Sequence, residues 1–464
     1  MFGPATFLRL ATLSQLSTHT RFLFTLRSES GVYHSLLLFR LSGSSEDELS
    51  LYVMESACPH LGADLSHAEI EECGLDVVAV CPWHRYDFNL NSGASETGLK
   101  ACTYAVEIRP DQNDGGEVWV EAPEDGKGWE VVELRPVSEA FADPPPALLS
   151  PEELTISPVV DASSQDPLVP SDNEPRTLIE WAVLILNTPD PDLKVQRTRH
   201  AVTLFRTGKL QSVGKTSNAP APPAVPPRHA GLQTVDPGKV GKRGKAGSLK
   251  SRIAMLHALA NIEQWAIDLA WDIIARFGPL NKDLPLQFFS DFTKVALDES
   301  KHFSLLSARL VSLSSFYGSH PIHAALWESA TATSASLAAR LAIIHLVHEA
   351  RGLDVNPNTI AKFRVAGDAE SVAVLEIIHL DEITHVTAGH RWFTWVCERE
   401  GYEPIPRFRA EVKLHFGGKV KGPFNEEDRR KAGLTKEFYE NLRGEAWDTD
   451  ETKSPPRVPV EYGK

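Results

Sequence analysis

Between residues 136 and 175 the chain carries repeated prolines, Pro144-Pro145-Pro146 among them, with many acids and no Lys or Arg. A stretch of that composition stays extended and solvated, so the sequence on either side of it folds separately. A length of 464 residues agrees, being too long for one core. Before the break, short apolar or alternating runs (21–27, 35–41, 49–54, 77–80, 105–108 and 118–121) are separated by Gly, Ser, Asp and Asn clusters, the pattern of β-strands. After it, apolar residues recur at helical spacing over 177–187, 192–207, 251–277, 285–313, 333–350 and 368–399, with a short helix near 436–442. Pro321, Gly352 and Pro357 punctuate between the long helices. The expected architecture is multidomain: an all-β domain over 1–135, a Pro-rich acidic linker over 136–175, an all-α bundle over 176–445 containing a basic Gly/Pro loop at 208–250, and a disordered tail over 446–464.

Composition excludes some function classes. At 42% hydrophobic and 23% charged the chain is ordinary for a globular protein, and no apolar run approaches the ~18 residues of a membrane span, so no membrane partner is expected. A net charge of -15 would repel a phosphate backbone, which argues against nucleic acid as a partner. Five cysteines are too few for a disulfide framework and suit a reducing compartment. The first 28 residues hold Arg9, Arg21 and Arg27 but no acid, a weakly transit-like composition. Phe22 to Leu26 nevertheless reads as the first strand of the β domain, so a cytoplasmic location is expected, with mitochondrial import the lesser alternative. Val213-Gly214-Lys215-Thr216 is a near miss for a phosphate-binding loop, because Gly208 stands one place too early and no strand leads in.

Within the β region, Cys58-Pro59-His60-Leu61-Gly62 and Cys81-Pro82-Trp83-His84 supply two thiolates and two imidazoles from two loops. A [2Fe–2S] cluster held by two Cys on one iron and two His on the other needs this set, with each loop donating one ligand to each iron. These residues resemble the Rieske ferredoxin family over roughly residues 5 to 125. The resemblance implies Cys58, His60, Cys81 and His84 as ligands. Respiratory-complex members carry a disulfide between the two loops; Ala63 and Trp83 stand near those places here, so that brace is missing. This points to the soluble branch, in the lower half of the Rieske range of roughly -150 to +300 mV. Cys73 and Cys102 lie outside the pattern and read as small buried hydrophobes.

In the helical region, carboxylates fall inside apolar stripes. Glu263 lies among Leu256, Ala260, Ile267, Ala270 and Ile274, and Glu299 and His302 among Phe288, Phe292, Val295, Leu306 and Leu310. Glu382, His385 and Gly389 interrupt Leu375, Ile378, Trp392 and Val396. Unpaired buried carboxylates are very costly, and metal is the simplest compensation. Glu-x-x-His stacks two ligands on one helix face, and one Glu from each of two helices plus Glu-x-x-His from the other two is the di-iron carboxylate pattern. The remaining helix must supply the fourth Glu; Glu349, one turn after His345, is the best candidate.

Asp298-Glu299-x-x-His302 and Asp381-Glu382-x-x-His385 resemble the site of bacterial multicomponent monooxygenases. By that resemblance Asp298 and Asp381 orient the imidazoles, and His345 belongs with them behind the ligands. Residues 176 to about 442 resemble a ferritin-like family catalogued mainly as a domain of unknown function, through HALANIE (257–263), HEARGLDV (348–355) and GPFN (422–425). The expectation is an oxidoreductase: a non-haem di-iron oxygenase or hydroxylase with two iron ions, fed electrons by its own Rieske [2Fe–2S] domain. Glu299 and Glu382 would bridge, with Glu263 and Glu349 terminal. No Gly-x-Gly-x-x-Gly follows a strand, so an external NAD(P)H-dependent or ferredoxin reductase is expected as partner, together with O₂ and an organic substrate of unknown identity. The alternatives are a non-catalytic redox or oxygen sensor, an iron-handling ferritin relative, and an RNA-modifying hydroxylase supported only by the basic segment 239–252.

Overall fold

A computed structural model describes residues 6–446 apart from 43–48, 74–75, 111–114, 138–165, 216, 218, 237–243 and 245. Most of the expected linker, the basic residues 239–243 and 245, and the tail beyond 446 lie outside the described residues. The architecture is strands first and helices afterwards, as expected. Contacts divide it into two compact units. One comprises Met1–Pro145, Thr203–Gln211 and Pro285–Ser290; the other comprises Pro146–Val202, Ser212–Leu284 and Asp291–Lys464.

In the first unit, β2 (Arg21–Arg27), β3 (Tyr33–Ser42) and β4 (Leu49–Glu55) form an antiparallel meander that continues to β8 (Thr103–Tyr104) and is edged by β11 (Glu130–Pro136). β1 (Phe7–Thr12), β10 (Glu117–Glu121) and β9 (Val106–Arg109) make a second sheet. Side chains alternate across a strand. Phe22, Phe24 and Leu26 of β2 and Leu36 and Leu38 of β3 thus share one core with Leu10, Val118 and Val120 of the second sheet. The first strand is β1, not the expected run at 22–26. Its Phe-Leu-Arg-Leu-Ala-Thr sequence lies in the transit-like stretch, where composition masked a short alternation. A small third sheet, β5 (Glu69–Cys73), β6 (Asp76–Val80) and β7 (Asp87–Asn89), carries the second Cys-His loop between β6 and β7.

The helical region opens with α1 (Leu178–Leu186), started by a reciprocal capping box between Thr177 and Glu180, and α2 (Pro191–Arg206). The long elements are α3 (Leu249–Phe277) and α4 (Leu286–Ser312), followed by α5 (Ala325–Ala332) and α6 (Leu337–Arg340). A π-helical stretch, Leu341–His348, runs from α6 directly into α7 (Glu349–Val365), and α8 (Ala369–Glu400) follows. The helix expected to end at Ala350 therefore continues to Val365, with Gly352 and Pro357 inside it. α9 (Pro404–His415), β12 (Gly417–Lys419), α10 (Glu426–Lys431), α11 (Lys436–Tyr439) and β13 (Arg443–Glu445) complete the chain. No helix among the described residues is long and apolar enough to cross a membrane.

The Gly/Pro-rich segment after 208 is packed rather than free where it is described. Trp327 donates its indole N–H to the Ala224 carbonyl at 2.9 Å, and Arg228 lies over the Trp265 ring at 3.4 Å. Ser212 and Val213 offer their carbonyls to the first amides of α1. The end of the acidic stretch is also anchored, since Arg197 of α2 donates to the carbonyls of Pro167 and Leu168.

Candidate metal centres

The two Cys-His loops have the same backbone. Cys58 N–H donates to the Ala63 carbonyl at 2.8 Å and Gly62 N–H returns to Cys58 at 2.7 Å. In the second loop Cys81 N–H donates to Tyr86 at 2.7 Å and Arg85 N–H returns to Cys81 at 3.0 Å. Each turn closes on a left-handed residue four places after its cysteine, Gly62 at φ +79 and Arg85 at φ +59. Arg85 is an unusual tenant for that conformation. Its guanidinium is held by Glu69 and by Glu71, the latter at 2.9 Å.

The symmetry gathers the four candidate ligands. The buried Cys58 and Cys81 thiols share a hydrogen bond, and the His60 and His84 rings lie edge to face with centroids 4.8 Å apart. That hydrogen bond, helped by the His84 and Trp83 amides, pulls the Cys81 thiol down to about 6 and drives Cys58 the other way. His60 Nδ1 is buried without a hydrogen-bond partner. Two soft thiols, one poised to ionise, beside an orphaned imidazole nitrogen form a donor set that fits a [2Fe–2S] cluster. Trp83 donates to the Phe205 carbonyl at 3.1 Å, and Gln211 donates to the Trp83 carbonyl at 2.6 Å, both within the same unit. Cys102, expected to be buried, is exposed on the coil before β8; Cys397 is buried.

In the helical unit, α3, α4, the start of α7 and α8 bring Glu263, Glu299, His302, Glu349, Glu382 and His385 together. They form two overlapping groups, Glu263–Glu299–His302–Glu382 and Glu299–Glu349–Glu382–His385, each with one donor atom per residue within 4.8 Å of the others. Glu299 and Glu382 are common to both, the positions expected to bridge. All six are buried except Glu349, which is intermediate.

Two aspartates hold the imidazoles crosswise. His302 on α4 directs Nε2 to Asp381 Oδ2 on α8 at 2.9 Å, and His385 on α8 directs Nε2 to Asp298 Oδ2 on α4 at 3.4 Å. Each ring thus turns Nδ1 inward. His302 Nδ1 is 3.2 Å from Glu299, and His385 Nδ1 is 3.1 Å from the other Glu299 oxygen. Lys301 joins the arrangement from outside, 2.7 Å from Asp381 and 3.7 Å from Asp298. Its importance was not read from the sequence; the signal was a lysine between the Glu and His of one motif where the other has Thr384. His345 is buried beside Phe292, its Nε2 unpartnered, and burial with the nearby Arg340 and His385 charges lowers it to about 3, so the ring is neutral. α8 approaches the π-helical stretch so closely that a Cβ on Gly389 would lie 2.4 Å from the His345 carbonyl oxygen, which explains the glycine in the stripe.

The electrostatics of this cluster are those of a cation site. Burial, reinforced by Glu299, pushes Glu263 up to about 8 and Glu349 up to about 7. Burial with Glu349 and Glu299 pushes Glu382 well above the usual carboxylate range. Burial also opposes ionisation of Glu299, but His385 and His302 overcome it and hold that carboxyl low. Burial alone would lower His302 and His385; hydrogen bonds and charge from the surrounding carboxylates raise both. Elsewhere on α3 the buried acids have cations, Asp268 meeting Lys194 and Arg228, and Asp272 meeting Arg276 and Arg340. Glu263 instead meets Glu299 and His302. Glu382 Oε2 is buried without a hydrogen-bond partner, and Glu299 Oε1 and His385 Nδ1 are buried 3.1 Å apart without the alignment of a hydrogen bond. Orphaned carboxylate and imidazole atoms converging on one spot fit a pair of divalent ions.

Comparison with known proteins accords with this division. Residues 21–103 match the Rieske [2Fe-2S] domain, which makes the β unit an iron–sulfur, electron-transfer domain. Residues 187–440, more than half of the chain, match a family described as protein of unknown function (DUF455), and the chain belongs to that family. A Haemophilus influenzae protein described only as uncharacterized is 38% identical over 185 residues, covering 39% of this chain and 64% of its own length. The chain thus spans somewhat less than two thirds of that relative. The solved ferredoxin of carbazole 1,9a-dioxygenase from Nocardioides aromaticivorans is 22% identical, covering 26% of this chain and 100% of its own, with a TM-score of 0.19.

Proposed function

We propose that the chain is a non-haem di-iron oxygenase or hydroxylase with a ferritin-like bundle, its iron pair reduced through its own Rieske cluster. The observation carrying this reading is the sharing of Glu299 and Glu382 between two ligand groups, each completed by one further Glu and one His. That is the residue set of a di-iron carboxylate site. Cys58, His60, Cys81 and His84 would hold the cluster, and Glu263, Glu299, His302, Glu349, Glu382 and His385 the iron pair. Such a pair would supply two-electron reduction of O₂.

The protein's own residues prepare that site. Asp298 and Asp381 lock the imidazoles so that Nδ1 faces inward, and Lys301 offsets the aspartate charge. Burial and the neighbouring carboxylates bias Glu263, Glu349 and Glu382 toward the protonated form, a bias that a bound cation would reverse. The partners would be an external reductase, O₂ and an organic substrate. The test is reoxidation by O₂ after anaerobic reduction. The parent should reoxidise rapidly, and Glu299→Ala should keep an unaltered Rieske spectrum but reoxidise slowly. Equal rates in the two proteins would mean that O₂ reacts at the cluster, and the oxygenase reading would fail.

A further inference from the structure

The segments HEARGLDV (348–355) and GPFN (422–425) are physically one device. Pro357 inside α7 has no N–H to donate to the carbonyl of Leu353, which would leave that acceptor without its helical partner. Asn425 fills the gap, its Nδ2 donating to the Leu353 carbonyl at 3.3 Å while its backbone N–H donates to Asp354 Oδ1 at 3.0 Å. Arg429 of α10 clasps the same buried carboxylate with both arms, at 2.8 and 2.7 Å, and extends Nη2 to the Ala350 carbonyl at 3.2 Å. Arg351 reaches back to the Lys421 carbonyl at 2.8 Å. The Arg429 guanidinium is itself fixed between Phe424 and Tyr439, 5.0 and 4.5 Å from their ring centres.

All these hydrogen bonds fall on residues 350–354, immediately after Glu349, two of them on the Ala350 and Leu353 carbonyls. The π-helical Leu341–His348 precedes it, an arrangement uncommon in helices and often found at functional sites. Facing that backbone is Glu382, whose Oε2 lies 3.6 Å from the position a Cβ would take on Gly352. Bidentate Arg–carboxylate pairs define geometry as well as adding energy.

We propose that Arg429 and Asn425 are positioning residues for the Glu349 half of the metal centre: the C-terminal segment fixes the turn of α7 from which Glu349 projects. The inference rests on the reading of Glu349 as a ligand. Because Glu349 belongs to only one of the two groups, the latch acts chiefly on that ion and reaches the other only through the shared Glu382.

The experiment is anaerobic Fe(II) equilibrium dialysis on the full chain carrying a preformed cluster, comparing the parent with Arg429→Met, Arg429→Lys, Asn425→Ala and Glu349→Gln. Hydrogen exchange over residues 349–354 is followed in the same proteins without bundle metal. Arg429→Met should weaken one bundle ion by about tenfold or more, the scale of a lost outer partner, and the other by less. Arg429→Lys should recover part of the loss, since an ammonium keeps the charge but not the fork. Exchange at 349–354 should quicken in Arg429→Met. If that variant fails to fold, Asn425→Ala carries the same test with a smaller effect of the same sign. Weakening by Glu349→Gln, with both ions held at parent affinity in Arg429→Met and Asn425→Ala, overturns the latch alone. Parent affinity for both ions in Glu349→Gln overturns the ligand reading, and the latch proposal with it.

Discussion

The two candidate centres are built by opposite means. Cys58, His60, Cys81 and His84 come from two loops of identical backbone, each closed within five residues by two hydrogen bonds and one left-handed residue. Glu263, Glu299, His302, Glu349, Glu382 and His385 come from four helices spread over more than a hundred residues. Their alignment depends on distant features: the close approach at Gly389, the π-helical stretch and the latch from residues 421–429. A locally closed loop confines damage, whereas a bundle site shares it among helices. Changes in the helical unit should therefore have wider consequences than changes of similar size in the loops.

The largest expected effect is from Glu299→Ala. Removing the carboxylate common to both groups should abolish retention of both bundle ions while leaving the visible Rieske spectrum unchanged, as measured by metal analysis and absorption on one sample. Survival of one tightly bound ion would break the claim that Glu299 is shared.

The next effect is the pH dependence of the metal-free protein. Glu263 is raised from an ordinary 4.5 to about 8, so between those values the folded state keeps a proton that the unfolded chain releases. Stability then falls as pH rises from about 4.5 to about 8, by roughly 1.4 kcal/mol per pH unit for each such group. Glu349, raised to about 7, adds to the lower part of that range, and the upward shifts of His302 and His385 act in the same direction. Metal should flatten the slope by taking the protons' place. Urea titrations of metal-free and loaded protein at several pH values would show it.

Gly389→Ala should come third. A methyl 2.4 Å from a backbone oxygen forces α8 away from the π-helical stretch, a loss of about 1–3 kcal/mol typical of overpacking, with weaker metal retention. The smallest change should be Arg85→Gly. It relieves a left-handed residue but gives up exposed ion pairs to Glu69 and Glu71, so melting temperature and cluster content should stay near those of the parent.

This contrast also explains what could be read in advance. Short-range patterns carried far: the β2 strand runs from Arg21 to Arg27 as its alternation predicts, and the stripe on α3 places Glu263 among buried apolar neighbours. Glu349 was reachable because the bundle pattern required a fourth carboxylate. The extension of that helix past Pro357 was not, because the replacement donor, Asn425, lies far along the chain. The swapped pairing of Asp298 with His385 and Asp381 with His302 is equally invisible in either motif alone, since each aspartate serves the other helix. Lys301 escaped notice for the same reason. β1 was hidden for a different one, a composition that competed with its alternation.

On this reading one chain holds both an iron–sulfur cluster and a separate iron pair. Iron and acid-labile sulfide determination on anaerobically reconstituted protein, combined with Mössbauer spectroscopy, tests it most directly. The expected result is the two irons and two sulfides of a Rieske cluster plus a second pair of irons with oxygen and nitrogen ligation. Fully reconstituted protein whose iron merely equals its sulfide, with only the cluster's signals in the spectrum, would contradict it.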